Sequence, residues 1–102
     1  MEDYRVALEK ANRSIKVADH MLSVTYKLVK DPKLLLGIVE HIFASMLNAM
    51  DSVLLFEREY KRIPPYPKTF DGKINALREK CIEKLGLDNS FIAFMFDLRS
   101  II

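Results

Sequence analysis

Between Asp3 and about Lys30 the apolar positions advance in alternating steps of four and three: Tyr4, Leu8, Ala11, Ile15, Ala18, Leu22, Thr25 and Val29. That spacing is one face of an α-helix. A second row, Val17, Met21, Val24 and Leu28, widens the stripe toward its C-terminal end and predicts deeper burial there. Glu9, Arg13, Lys16, His20, Ser23, Lys27 and Lys30 fall on another side. Asp31-Pro32 then closes this segment and opens the next, because proline disfavours helix at the residue before it while Asp followed by Pro suits a cap and first turn. A connection this short makes antiparallel neighbours, so the first two helices are expected to form a hairpin. The second helix is predicted from about Lys33 to Arg62, roughly 45 Å at 1.5 Å per residue.

Leu34 to Phe56 is apolar and long enough to raise the question of a membrane span. Glu40, His41, Asn48 and Asp51 argue against one, since a charge near the bilayer centre costs on the order of 2.5–3.5 kcal/mol. The expectation is a buried helix and no membrane. Beyond Arg62, Ile63-Pro64-Pro65-Tyr66-Pro67-Lys68 is a stiff extended connector, because its prolines remove donors and fix φ. Thr69 or Asp71 caps a third helix whose apolar line is Phe70, Ile74, Leu77, Cys81 and Leu85, and Gly86 ends it. Asp88, Asn89 or Ser90 caps a fourth, carrying Phe91, Phe94, Met95, Leu98, Ile101 and Ile102. This last pattern meets no stop signal, which is expected of a truncated chain, a fragment, or a helix that docks by its very end. The expected fold is all-α: one domain over residues 1–102, incomplete at the C-terminus, built as an antiparallel four-helix bundle with a long second helix.

Composition narrows the functional classes. A chain of 102 residues, half of them apolar and 29% charged, suits one packed core and excludes general disorder. One cysteine and two histidines supply neither a disulfide nor a structural zinc site, so no metal and no cofactor is expected. The first residues lack a basic start and apolar run, which makes the cytoplasm the expected compartment. A net charge of +2 does not announce nucleic acid. Glycine loops for phosphate, nucleophile elbows and paired zinc histidines are absent from the sequence.

Two constellations remain as candidate sites. In the second helix Gly37, His41, Ala44, Asn48, Asp51, Leu55 and Arg58 form a stripe of small and polar residues. Small residues permit close helix approach, and a buried Asn can fix the register of a pair, so His41 and Asn48 mark a polar pocket or a dimer seam. The bland alternative is a face of mixed exposure with satisfied polar groups. Around the connector, Arg58, Lys61, Arg62, Tyr66 and Lys68, with Tyr60 alongside, interleave cations and aromatics as a single RNA strand would require. Glu57 and Glu59 dilute that charge, and cations are favoured at a helix C-terminus in any case. The seam and the apolar fourth helix both leave surface to cover, for which a homodimer is expected.

The first helix with alanines on its core line (Ala7 to Asp19), the short Asp31-Pro32 turn and the long second helix containing Asn48-Ala49-Met50 and Phe56-Glu57-Arg58 resemble the HEPN superfamily, archaeal members above all. The proline-rich connector and two shorter helices extend the likeness over nearly the whole chain. The resemblance implies a helical bundle that is often dimeric. It implies either an RNase of toxin–antitoxin, CRISPR or defence systems, or a non-catalytic module that binds RNA or a partner protein such as a nucleotidyltransferase. Active members carry Arg, four to six residues, then His on the final helix. Arg99 stands on the matching helix, and its histidine would lie beyond Ile102, so Arg99 is a catalytic candidate only if the chain extends to such a His. In that case Arg99 would hold the phosphate and the His would serve the attacking 2′-hydroxyl without metal. Arg13 and His20 have the spacing but lie on the first helix. The expectation is a non-catalytic HEPN-like binding module for RNA or a partner protein, with the nuclease and a purely structural helical interaction protein as alternatives.

Overall fold

The computed structural model describes residues 3–81 and 89–102. Among them, all regular structure is helical: α1 (Tyr4–His20), a π-helical turn (Met21–Thr25), α2 (Tyr26–Val29), α3 (Lys33–Glu59), α4 (Phe70–Lys80) and α5 (Ser90–Ile101). Gly86, Leu85 and Asp88, read above as a helix end, a core position and a cap, lie outside the described residues.

The helix ends follow from local chemistry. Asp3 caps α1, its carboxylate accepting the Arg5 N–H at 2.9 Å. The Asp31 carboxylate accepts the Lys33 N–H at 3.0 Å, as the Asp-Pro pair predicts. Thr69, rather than Asp71, caps α4 by accepting the Gly72 N–H at 3.0 Å. The second long helix stops three residues earlier than its pattern suggests. Lys61 turns left-handed at φ 56°, the Arg62 N–H bonds the Glu57 carbonyl at 2.9 Å, and the Lys61 N–H bonds the Arg58 carbonyl at 3.0 Å. These paired bonds satisfy the last carbonyls of α3 as a glycine-ended helix would, with lysine standing in the glycine's place.

Packing divides between two seams that share α3. On one side, α1 approaches α3 through small residues: Ala7, Ala11 and Ala18 are buried opposite Ser45 and Ser52. The Ser45 hydroxyl donates to the Ala11 carbonyl at 2.8 Å and the Ser52 hydroxyl to the Tyr4 carbonyl at 2.9 Å. Residue numbers falling along α1 while they rise along α3 make the pair antiparallel. On the other side, Met50 and Leu54 of α3 join Ile63, Ile74, Leu77, Cys81, Ile92 and Met95 in one buried cluster. Phe70 at the start of α4 lies 5.6 Å from the ring of Phe96, in the middle of α5, and 6.0 Å from Phe43. By length and composition α3 is apolar enough to cross a membrane; within the fold Ser45 and Ser52 serve one seam, and Met50 and Leu54 the other.

The first helix departs from its pattern in two ways. A π turn inserts one residue between α1 and α2, and Met21 of that turn reaches to about 3.1 Å from where a Cβ on Gly37 would stand. The widening apolar rows do not mark deeper burial. Leu8, Ile15, Leu22, Val24, Leu28 and Val29 are exposed, Leu28 by 80%. Close approach through alanine and serine holds the larger side chains at the rim of the seam instead of inside it.

Candidate functional site

The connector candidates are brought near one another, and most are engaged within the chain. The Arg58 guanidinium donates to the Ile63 carbonyl at 2.8 Å and so ties the connector to α3. Arg62 stacks over the rings of Phe56 and Tyr60, at 5.5 and 5.2 Å, and pairs with the buried Glu57 carboxylate at 3.6 Å. The Lys68 ammonium sits 4.3 Å from the centre of the Tyr66 ring. Tyr66 is half-buried, and burial first, then the Asp51 carboxylate, pushes its phenol above the ordinary tyrosine value, with the Arg58 guanidinium pulling the other way. Lys61 is exposed at the left-handed position.

The sequence missed three members of this neighbourhood, Tyr4, Arg5 and Phe56. Tyr4 packs edge-on against Phe56 at 5.1 Å, Phe56 against Tyr60 at 4.9 Å, and Arg5 lies over Tyr4. The result is a ladder from Arg5 to Arg62 at the end of the hairpin where α1 begins and α3 stops. Its cations are also held by carboxylates: Arg5 forms a two-point pair with Asp3, whose carboxyl is kept below the usual range by that guanidinium. Nothing in the spacing of Tyr4 could have placed it beside Phe56, because that depends on the antiparallel register of two helices.

Two members of the polar stripe are engaged within the chain. His41 and Asn48 are half-buried on α3, and the Asn48 amide donates back to the Ala44 carbonyl of its own helix at 2.9 Å. Asp51 pairs with Lys73 of α4 at 2.8 Å. Arg99 projects from α5 over the Phe70 ring at 4.4 Å and lies 3.7 Å from the Asp71 carboxylate. Both of those contacts come from α4, which positions the guanidinium.

An apolar groove runs between α1 and α3 beside the alanine seam. Ile15, Ala18 and Leu22 form one wall, Ile38 and Ile42 the other, with Lys16 and Asp19 on the rim, and it encloses about 460 Å³. Ile15 and Leu22 remain 44% and 51% exposed. The signal was present in the sequence: Leu8, Ile15, Leu22 and Val29 repeat every seven residues beside the alanines, and large residues flanking a small-residue seam cannot all enter it. Among the described residues no group of His, Cys, Asp or Glu is arranged to hold a metal ion. Comparison with protein-family models, curated proteins and solved structures gave no match.

Proposed function

We propose that this chain is a non-catalytic, HEPN-like helical interaction module that binds a partner protein in the groove between α1 and α3. In this reading α1, α3, α4 and α5 are the four helices of an antiparallel bundle. The antiparallel run of α1 along α3, and the return of α5 toward the start of α4, support that arrangement. The observation that carries the functional reading is the open groove itself: isoleucine and leucine line a channel of about 460 Å³ in which, among the described residues, Lys16 and Asp19 are the charged lining groups. A partner helix presenting apolar residues every three or four positions fits such a channel. A nucleotidyltransferase is one partner class, and a soluble cytoplasmic setting belongs to the same proposal.

Binding of a single RNA strand is the second reading, favoured by the stacked ladder of Tyr4, Phe56 and Tyr60 between two arginines. The carboxylates of Asp3 and Glu57 already neutralise those arginines, which is why a protein partner is preferred. A cysteine footprint tests the choice, since the native Cys81 is buried. The thiol introduced by Leu22→Cys should react with a maleimide more slowly in native cell extract than one introduced by Arg78→Cys, with equal rates after denaturation. Equal rates in the native extract would contradict a protein-filled groove.

A further inference from the structure

We propose that the closed end of the α1–α3 hairpin is a peripheral membrane-binding tip, which seats apolar side chains in the headgroup region of a bilayer carrying anionic lipid, without crossing it. The site is separate from the groove, whose lining includes none of the residues concerned. The tip is the turn at Lys30, Asp31 and Pro32 with the helix ends on either side of it. At 1.5 Å per residue α3 is about 40 Å long, in a molecule whose longest dimension is 48 Å, so the turn stands at one end of the long axis. The core shared with α4 and α5 takes in α3 from Phe43 onward, about two helical turns past Leu36.

Large apolar side chains flank the turn. Leu28 and Val29 of α2 are the two most exposed of that kind among the described residues, at 80% and 62%, and Leu35 and Leu36 of α3 are 41% and 46% exposed. Each lies within about four residues of the turn, hence roughly 6 Å from it along the helix axis, inside the 5–10 Å to which interfacial helices bury their apolar side chains. Tyr26, half-buried on α2, adds a ring of the amphipathic kind that favours the headgroup level.

The charge pattern selects the lipid. From Met21 to Val39 the charged residues are Lys27, Lys30, Asp31 and Lys33. The three lysines are exposed, while the Asp31 carboxylate accepts the Lys33 N–H at 3.0 Å. This end therefore carries a net +2, equal to that of the whole chain, and the remainder balances to zero. Lysine stems lie along apolar surface while their ammonium groups reach outward, which suits an anionic headgroup layer over a bed of acyl chains. The next carboxylates, Asp19 and Glu40, are exposed and set the depth at which insertion stops.

Co-sedimentation of the 102-residue chain with large unilamellar vesicles tests the proposal, using phosphatidylcholine alone and phosphatidylcholine with about one third phosphatidylserine. Binding is expected to the mixed vesicles and should be weaker by about tenfold or more without phosphatidylserine. Lys27→Gln should weaken it about fivefold and Leu28→Glu about tenfold or more, with unchanged helical circular dichroism because both side chains are exposed. An environment-sensitive fluorophore on Leu28→Cys should shift to the blue when mixed vesicles are added, and the same label on Arg78→Cys should not, since the native Cys81 is buried and does not compete for label. Failure to bind the mixed vesicles, equal binding to both sets, binding indifferent to Leu28→Glu, or a blue shift at position 78 instead of 28 would overturn the proposal. So would a chain that ignores vesicles while its Leu28→Cys thiol is protected from maleimide in membrane-free extract, a result that gives the tip to a protein.

Discussion

Gly37 and Gly72 look alike in the sequence and differ in the structure. A Cβ at Gly72 would fall 2.6 Å from both the Cβ and the carbonyl oxygen of Pro67, and backbone cannot step aside. Gly72→Ala is therefore expected to lower stability by about 1–3 kcal/mol. At Gly37 the nearest atom is the flexible end of Met21 at 3.1 Å, so Gly37→Ala should be neutral or stabilise α3 by up to about 1 kcal/mol. Lys61 stands at a left-handed φ of 56°, and Lys61→Gly should relieve about 1 kcal/mol of strain. Urea melts compare all three; a loss on Lys61→Gly would contradict the helix end described here. Tyr66 gives a pH signature. Its phenol proton is held more tightly folded than unfolded, so the associated stability is complete below about pH 10 and is lost as pH rises through the folded value. Tyr66→Phe should flatten the alkaline decline in stability, and an unchanged decline would show that Tyr66 does not titrate in this way.

At the scale of elements, the small-residue seam and the bulky core should respond differently to substitution. Leu54 is fully buried among α4 and α5, so Leu54→Ala should cost about 2–5 kcal/mol, whereas Leu22→Ala, at the exposed rim, should cost less than about 0.5 kcal/mol. Ala11→Leu should cost about 1–3 kcal/mol by forcing α1 away from Ser45. Equal losses at positions 22 and 54 would mean that the groove is closed. Much of this organisation was legible in the pattern of residues. Helical periodicity, the Asp31-Pro32 turn and the Thr69 cap located the start of each of the first three expected helices and the end of α3 to within a few residues, because they are local devices. Two things were not legible. The left-handed Lys61 ends α3 without the glycine that normally signals such an end. And periodicity placed Ala11 and Ile15 on the same face without saying which of them the seam would accept. That depends on how closely α1 and α3 approach, and the approach is set by Ser45 and Ser52, which lie 34 and 48 residues along the chain from the α1 carbonyls they bind.

The whole molecule is an elongated body of 48 by 24 by 24 Å in which α4 and α5 cover one half of α3 while the hairpin formed by α1 and α3 extends beyond them. That asymmetry leaves an apolar groove on one flank and a ladder of aromatics and arginines at one end. The two surfaces make opposite demands on solution conditions. A partner held by apolar side chains should tolerate added salt, while an RNA strand held through phosphates should be released by it, with affinity falling as a power of salt concentration. A labelled single-stranded RNA should accordingly show at most weak binding at physiological ionic strength, readable by fluorescence anisotropy. Tight, salt-sensitive binding lost on Tyr60→Ala would transfer the function to the ladder. The most direct measurement is site-specific photocrosslinking in living cells, with a photoreactive phenylalanine derivative placed at Leu22 in one strain and at Tyr60 in another. Adducts to protein of defined mass at position 22, with little at position 60, are the expected result; RNA adducts at position 60, with none at position 22, would contradict the account.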